Sequence, residues 1–213
     1  MLYIVTGGSG SGKSEYAEQT AVQCRNGNGG TLWYLATMRI WDDEGRKRVE
    51  RHRRMRAARG LKAIERYTGL ETLELEERFE EYNSAGLDDE QENDSLKRWE
   101  SCRVAQKPVL LLECMSNLVL NEFYAQENGA QERILQGIKH LQNQCHDLII
   151  VTNEIFSDGA TYDLESERYI ELLGRINREL GQMADSVTEV VYGIPLAVST
   201  PVFAADERTK DVG

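Results

Sequence analysis

Short, almost wholly apolar runs alternate along the chain with longer segments of helical character. Because these runs do not alternate apolar with polar residues, they are typical of parallel strands covered on both faces. The pattern predicts strands near Leu2–Thr6, Thr31–Ala36, Val109–Leu112, Leu148–Thr152 and Val187–Tyr192, with a further one around Leu196–Ser199. Helices are predicted at about 13–25, 45–59, 70–82, 95–103, 116–126, 130–145 and 163–185. This order predicts a doubly wound α/β fold, a mostly parallel sheet flanked by helices, with ligands at the carboxyl ends of the strands.

The segment Gly7–Ser14 reads G-G-S-G-S-G-K-S and lies between the first predicted strand and the first predicted helix. It is a complete Gly-x-x-x-x-Gly-Lys-Ser phosphate loop in the setting that the motif requires, so an accidental match is the weaker alternative. We expect Lys13 to reach the β and γ phosphates and the Ser14 hydroxyl to bind Mg²⁺. The predicted nucleotide contacts in the loop are Gly7, Gly8, Ser9, Gly10, Ser11, Gly12, Lys13 and Ser14. The motif predicts a P-loop NTPase-like fold that binds a nucleoside triphosphate.

The length of 213 residues suits one α/β domain, expected over 1–203, with 204–213 as a flexible tail. The hydrophobic content of 40% is ordinary for a globular protein, and no apolar run approaches the ~20 residues of a membrane span. No signal segment opens the sequence, so we expect a cytoplasmic protein without stable membrane insertion. The four cysteines lack a C-x-x-C spacing, and we expect reduced thiols rather than a zinc site.

The net charge of −11 argues against a nucleic-acid partner, but the charge is unevenly distributed. Residues 45–66 carry ten Lys and Arg against two Glu, whereas residues 70–101 carry twelve Asp and Glu against three Lys and Arg. We interpret the segment at about 70–101 as an acidic insertion that contains a solvated loop.

The predicted helix 45–59 carries a candidate nucleophile. On it, His52 shares a face with Arg48 and Arg56, which lie four residues away on either side. His52 is therefore a nucleophilic nitrogen among guanidinium groups, and guanidinium groups suit phosphate oxygens. A solvated basic helix with an incidental histidine is the alternative, and composition alone favours it. A basic segment in an acidic protein with a phosphate loop nevertheless favours an anion site.

Six segments, in order, resemble those of the bifunctional adenosylcobinamide kinase/adenosylcobinamide-phosphate guanylyltransferases of cobalamin biosynthesis. The resemblance begins with I-V-T-G-G-S-G-S-G-K-S-E-Y-A-E and covers nearly the whole chain. The other segments are L-A-T-M at 35–38, D-D-E at 42–44 with the R-V-E-R-H-R-R-M-R that follows it, L-L-L-E-C at 110–114, V-T-N-E at 151–154, and G-R-I-N-R-E-L at 174–180. The phosphate loop alone is generic, whereas the ordered set is specific.

The resemblance implies two reactions. Members of this family phosphorylate the aminopropanol hydroxyl of adenosylcobinamide with ATP or GTP, and then transfer GMP from GTP to adenosylcobinamide phosphate. The second reaction proceeds through a guanylylated histidine, which His52 matches, and Lys13 is the charge partner of the triphosphate in both steps. The resemblance also implies a homotrimer.

The resemblance further assigns nucleotide contacts and a metal site. Glu113, at the end of an apolar strand, matches a position that would hold Mg²⁺ together with Ser14, and an ordinary strand-end carboxylate is the alternative. Asn153 and Glu154 end another strand on the ligand side, where a structural and a substrate-facing role both stay open. The nucleotide contacts that the resemblance implies are Ala36, Thr37, Met38, Arg53, Arg54, Met55, Arg56, Glu65 and Glu113.

The sequence departs from many relatives at Gly10, where they carry Arg or another side chain, and directly after the histidine segment. These departures leave the substrate surface and the base contacts open. The alternatives are a monofunctional P-loop small-molecule kinase with an idle His52, a guanylyltransferase whose kinase activity is vestigial, and a nucleotide-dependent binding or switch protein. The sequence lacks the guanine-reading N-K-x-D pattern, which makes the switch protein the weaker alternative.

Overall fold

Seven strands form one sheet in the computed structural model, which describes residues 1–39, 61–75, 106–157 and 159–199. The strands are β1 (Leu2–Thr6), β2 (Leu32–Ala36), β3 (Lys62–Glu65), β4 (Val109–Glu113), β5 (Asp147–Val151), β6 (Ser186–Val191) and β7 (Ile194–Ser199). Their order across the sheet is β3-β2-β4-β5-β1-β6-β7, and only the pair of β6 and β7 is antiparallel. The predicted, mostly parallel sheet is thereby confirmed.

Helices cover both faces of the sheet, which is the doubly wound arrangement. The described α-helices are α1 (Lys13–Asn28), α2 (Met115–Ala125), α3 (Ala130–Gln144) and α4 (Leu164–Met183). On one face α1 contributes Ala17 and Ala21 to the core, whereas α2, α3 and α4 pack together on the other face. None of the helices within the described ranges is long and apolar enough to cross a lipid bilayer.

Strand β4 shows why the parallel strands appear in the sequence as unbroken apolar runs. Successive side chains of a strand point to opposite faces, so Leu110 and Leu112 join the core with α2, α3 and α4 while Leu111 joins the core with α1. All three side chains are fully buried. A strand covered on both faces therefore has no position at which a polar residue would meet water.

A tight hairpin ends the sheet at β6 and β7. Its two turn residues, Tyr192 and Gly193, both have positive φ values, of 52° and 79°. Two consecutive turn residues with positive φ form a two-residue turn whose twist matches the right-handed twist of the flanking strands. β7 therefore runs antiparallel to β6, and it is the sole antiparallel strand among the described ones.

The structure corrects the sequence analysis at the other edge. Strand β3 was not predicted, because it is four residues long and only Ile64 in it is partly buried. The predicted helix 70–82 is wrong where the structure describes it: Leu70–Thr72 form one 3₁₀ turn, and Leu73 is extended. The turn buries Leu70 against α3. The predicted helices at 45–59 and 95–103 lie outside the described residues.

Gly137 in α3 provides a test of this packing. A Cβ atom at this position would lie 2.6 Å from the Leu70 Cβ and 3.1 Å from the Glu71 backbone nitrogen. We therefore expect Gly137→Ala to lower the free energy of unfolding by about 1–3 kcal/mol, since overpacking outweighs the gain in helix propensity. Urea denaturation measures the change.

Gly181 in α4 is the matched control, because a Cβ atom there meets nothing within 4 Å. Gly181→Ala should raise the free energy of unfolding by up to about 1 kcal/mol, as expected for a helical glycine. Equal effects of the two substitutions would contradict the close packing of α3 on Leu70.

Candidate functional site

The carboxyl ends of four parallel strands lie together at one edge of the sheet. The pairing register sets Ala36 beside Glu113, Glu113 beside Val151, and Val151 beside Val5. The segments that follow β1, β2, β4 and β5 therefore begin at the same level. The phosphate loop Gly7–Ser14 is one of them, so this is the edge at which the sequence pattern predicts ligand binding, called the ligand edge below.

The phosphate loop is fixed by backbone contacts on two sides. Gly7 has a φ of +152°, and a Cβ atom there would lie 2.5 Å from the carbonyl oxygen of Val190, so only glycine fits. On the β6 side, the Gly193 N–H donates to the Ser11 carbonyl at 2.8 Å. On the β5 side, the Glu154 N–H donates to the Gly7 carbonyl at 3.1 Å. The loop is thus held between the β6–β7 hairpin and the segment after β5.

Lys13 begins α1 and lies under the loop. The residue is only 9% exposed, and its Nζ donates to the Gly8 carbonyl at 3.0 Å. Burial lowers the pKa of Lys13 below its usual value, while Cys114 and Glu113 act in the opposite direction. Gly12 caps α1 without a side-chain hydrogen bond. The first turn of α1 therefore combines a buried cation with the positive end of the helix dipole, which is an arrangement suited to an anion.

Ser14 and Glu113 meet at the end of β4, as the resemblance implies. The Ser14 hydroxyl donates to Glu113 Oε1. The Tyr34 hydroxyl, from β2, donates to Glu113 Oε2 at 2.8 Å. The carboxylate thereby joins α1, β2 and β4. Sequence analysis missed Tyr34, because one tyrosine in an apolar strand carries no signal of a polar contact.

The oxygen atoms of this cluster fit a magnesium ion. Mg²⁺ prefers oxygen ligands and is commonly held by one or two protein groups, with water and substrate phosphates completing its coordination. The Ser14 hydroxyl and the Glu113 carboxylate provide two such groups. Within the described ranges there is no group of three or more His, Cys, Asp or Glu residues that could hold a metal ion. The donor set thus fits an ion that depends on the phosphates for binding.

Thr37 joins β2 to β4 directly. Its hydroxyl donates to the Cys114 carbonyl at 2.7 Å and accepts the Cys114 N–H at 2.9 Å. The Asn121 side chain donates to the Thr37 carbonyl at 2.8 Å, and Thr37 is fully buried. Its neighbours Ala36 and Met38 are partly buried at the same edge. The hydroxyl of Thr37 is therefore engaged in holding two strand ends together.

Glu65 does not lie beside the phosphate loop. It ends β3, which is four strand spacings from β1, or about 19 Å at ~4.8 Å per spacing. Its carboxylate accepts the Tyr67 hydroxyl at 3.0 Å, and the Arg39 guanidinium lies over the Tyr67 ring. The exposed Glu65 carboxylate thus belongs to a separate polar cluster at the carboxyl end of the outermost strand, β3.

Five of the predicted site residues cannot be placed at this edge. They lie outside the described ranges and keep the status of predictions: His52, Arg53, Arg54, Met55 and Arg56.

The segment after β5 is attached to the helices that cover the sheet. The Thr152 hydroxyl donates to Asn177 Oδ1 of α4 at 2.9 Å, and the Asn153 N–H donates to the Ser116 hydroxyl of α2 at 3.2 Å. Together with the bond from the Glu154 N–H to Gly7, these contacts hold Asn153 and Glu154, the last two residues of the V-T-N-E segment, beside the loop. Asn177, in the G-R-I-N-R segment, supports this edge from α4.

Comparisons with known proteins identify the family of the chain. The family described as "Cobinamide kinase / cobinamide phosphate guanyltransferase" matches residues 3–90 and 88–198. The chain is 26% identical over 212 residues to the bifunctional adenosylcobalamin biosynthesis protein CobU of Escherichia coli and, to the same extent, to that of Salmonella typhimurium. In each case the alignment covers 93% of this chain and 99% of the relative.

Two solved structures also resemble the chain. The flagellar accessory protein FlaH of Methanocaldococcus jannaschii has a TM-score of 0.45 at 12% identity, covering 93% of this chain and 78% of that one. A KaiC-like protein of Pyrococcus horikoshii has a TM-score of 0.41 at 14% identity, covering 88% and 71%. The family match, by contrast, extends over almost all of the sequence. The chain therefore belongs to the cobinamide kinase/cobinamide phosphate guanylyltransferase family, a family of P-loop transferases of cobalamin biosynthesis.

Proposed function

We propose that this protein phosphorylates adenosylcobinamide with ATP or GTP and then transfers GMP from GTP to adenosylcobinamide phosphate through a guanylylated His52. The products are adenosylcobinamide-GDP and pyrophosphate. The observation that carries the proposal is the buried Lys13 beside the Ser14–Glu113 pair, at the phosphate loop of a chain that matches the family almost throughout. By resemblance, the protein would act as a cytoplasmic homotrimer.

In the kinase step, the loop would hold the triphosphate and Lys13 would balance its charge. Lys13 Nζ now donates to the Gly8 carbonyl, and a phosphate oxygen is a stronger acceptor for an ammonium group than a neutral carbonyl. The acceptor hydroxyl would form a bond to the γ phosphorus while the bond to the leaving β-phosphate oxygen breaks. Mg²⁺, held by Ser14 and Glu113, would neutralise charge on the phosphates.

In the guanylyl step, a histidine nitrogen would attack the α phosphorus of GTP, and pyrophosphate would leave. An oxygen of the cobinamide phosphate would then attack the same phosphorus, and the bond to the histidine would break. Arg53, Arg54 and Arg56 lie within the four positions after His52 and would bind phosphate oxygens. Lys13 would stabilise the departing pyrophosphate, so that the same loop serves both reactions.

The positions of the other histidines support the choice of His52. The sequence holds three histidines. His146 directly precedes β5, at the amino edge of the sheet. His140 lies in the last turns of α3, where its Nε2 is 3.1 Å from the Leu73 carbonyl oxygen. Both are at the opposite edge from the phosphate loop. A covalent step on histidine would therefore need His52.

The remaining predicted contacts are proposed for the nucleotide. Ala36 ends β2 at the ligand edge and Thr37 and Met38 follow it, and the partly buried Ala36 and Met38 would contact a base or ribose there. Met55 lies among the arginines that follow His52 and is proposed as a further nucleotide contact. Glu65 lies further along the same carboxyl-end edge, so a contact from it would require the guanosine to extend away from the loop and across the ends of β5, β4 and β2.

Substitution of Lys13 tests the shared role of the loop. Lys13→Ala should reduce both the kinase and the guanylyltransferase rates by about 100-fold or more, because one charged contact to the reacting phosphates is lost in each step. With GTP and Mg²⁺, product formation from adenosylcobinamide measures the kinase and product formation from separately prepared adenosylcobinamide phosphate measures the guanylyltransferase, both resolved by mass spectrometry. Lys139→Ala, at an exposed position of α3, is the matched control and should leave both rates within about twofold. Retention of either activity in the Lys13 variant would contradict its double role.

Substitution of His52 separates the two activities. His52→Asn should abolish guanylyl transfer and the acid-labile label from [α-³²P]GTP, while phosphorylation of adenosylcobinamide continues. His146→Asn, at the amino edge, is the control and should keep both reactions. If guanylyl transfer and the label persist in the His52 variant, the covalent mechanism is wrong.

A further inference from the structure

A cleft of about 460 Å³ lies beside the phosphate loop. It is bounded by the tip of the loop, the segment after β5 and the first turns of α4. Its lining includes Ser9, Asn153, Glu154, Ile155, Ser166 and Tyr169. The cleft thus lies next to the loop on the face of the sheet that α4 covers. Helix α1, whose first turn would face the bound phosphates, packs on the opposite face.

The lining of the cleft suits an uncharged, partly apolar group rather than a phosphate. Ile155 and Tyr169 provide apolar surface, and burial raises the pKa of Tyr169 to about 12, so its hydroxyl keeps its proton. That hydroxyl donates to the Ser116 carbonyl at 3.2 Å. Glu154 adds a carboxylate, which would repel a polyphosphate but accept a hydrogen bond from an alcohol.

Glu154 is held in a fixed relation to the loop. Its backbone N–H donates to the Gly7 carbonyl at 3.1 Å. Its Oε1 accepts the Phe156 N–H at 3.0 Å and the Ser157 hydroxyl at 2.9 Å. The Phe156 ring in turn lies against Gly174 of α4, where a Cβ atom would be 3.5 Å from the ring. Backbone and side-chain contacts therefore hold Glu154 next to the phosphate loop, in the lining of the cleft.

We propose that the cleft binds the hydroxyl-bearing arm of the cobinamide acceptor and that Glu154 takes the proton of that hydroxyl during phosphoryl transfer. The hydroxyl oxygen forms the bond to the γ phosphorus, the bond to the nucleoside diphosphate breaks, and the proton passes to the Glu154 carboxylate. This inference rests on the proposed kinase activity and adds the acceptor site to it. The guanylyl step has no need of this base, because its acceptor is a phosphate whose oxygens are already ionised at neutral pH.

Glu154→Gln tests the proton acceptor. The kinase kcat should fall about 100-fold, within the range of a lost general base, while guanylyl transfer to separately prepared adenosylcobinamide phosphate falls less than about tenfold. The nucleotide dissociation constant, measured with a fluorescent GTP analogue, should stay within about twofold. Glu165→Gln is the matched control, since Glu165 is an exposed carboxylate in the first turn of α4 that does not line the cleft. A Glu154 variant with a wild-type kinase kcat, or with both reactions reduced equally, would overturn the role of Glu154.

Ser166→Trp tests the cleft itself by filling it. The KM for adenosylcobinamide should rise at least about tenfold, while the nucleotide dissociation constant is retained. Glu167→Trp, at an exposed neighbouring position outside the cleft, is the control for the bulk of the indole, and thermal melting of both variants checks that they fold. A rise in the nucleotide dissociation constant with an unchanged KM for adenosylcobinamide would assign the cleft to the nucleotide and overturn the proposal.

The wild-type protein separates this inference from the function on which it rests. If the wild type forms neither adenosylcobinamide phosphate nor adenosylcobinamide-GDP from adenosylcobinamide, GTP and Mg²⁺, the proposed kinase activity itself is wrong. If the wild type forms either product and both the Glu154 and the Ser166 variants do so with unchanged kcat and KM, the kinase activity stands and the acceptor cleft is wrong.

Discussion

The parallel pairing of β1 with β5, and of β5 with β4, is the constraint on which the candidate site depends. Parallel strands in register end at one level, so Val5, Val151 and Glu113 deliver their following segments to the same edge. Their side chains are buried on both faces, and a shift of register would expose apolar residues or bury polar ones. The core thus fixes the place of Glu113 relative to the phosphate loop without any contact to a ligand.

At this edge, three separate elements of the fold contact the phosphate loop. The hairpin turn binds Ser11, the segment after β5 binds Gly7, and Glu113 binds Ser14. The proposed acceptor carboxylate, Glu154, belongs to the second of these elements. In the proposed reaction, phosphate binding, metal binding and acceptor positioning would therefore be coupled through this loop, which is the preorganisation that phosphoryl transfer requires.

Much of the fold could be predicted because its signals are local. The apolar runs of β1, β2, β4, β5 and β6 reflect burial on both faces, and α1, α2, α3 and α4 begin and end within about three residues of their predicted bounds. Strand β3 was missed because its residues are mostly exposed and its place depends on hydrogen bonds to β2. The helix expected from residue 70 was wrong because Leu70 is buried in a turn against Gly137, and no helical periodicity records that contact.

The sequence by itself determined the phosphate loop, the alternation of strands and helices, and the family, because each depends on residues that are close together or on segments that match the family in order along the chain. The family resemblance already paired Ser14 with Glu113, which is 99 residues away, but only the tertiary structure decided that Tyr34 binds the other oxygen of that carboxylate and that Glu154 binds the loop at Gly7 and lines a cleft beside it. It also separated Glu65 from the loop by three intervening strands. These relations depend on the spatial order of the strands, which differs from their order along the chain, and spacing in the sequence carries no record of it.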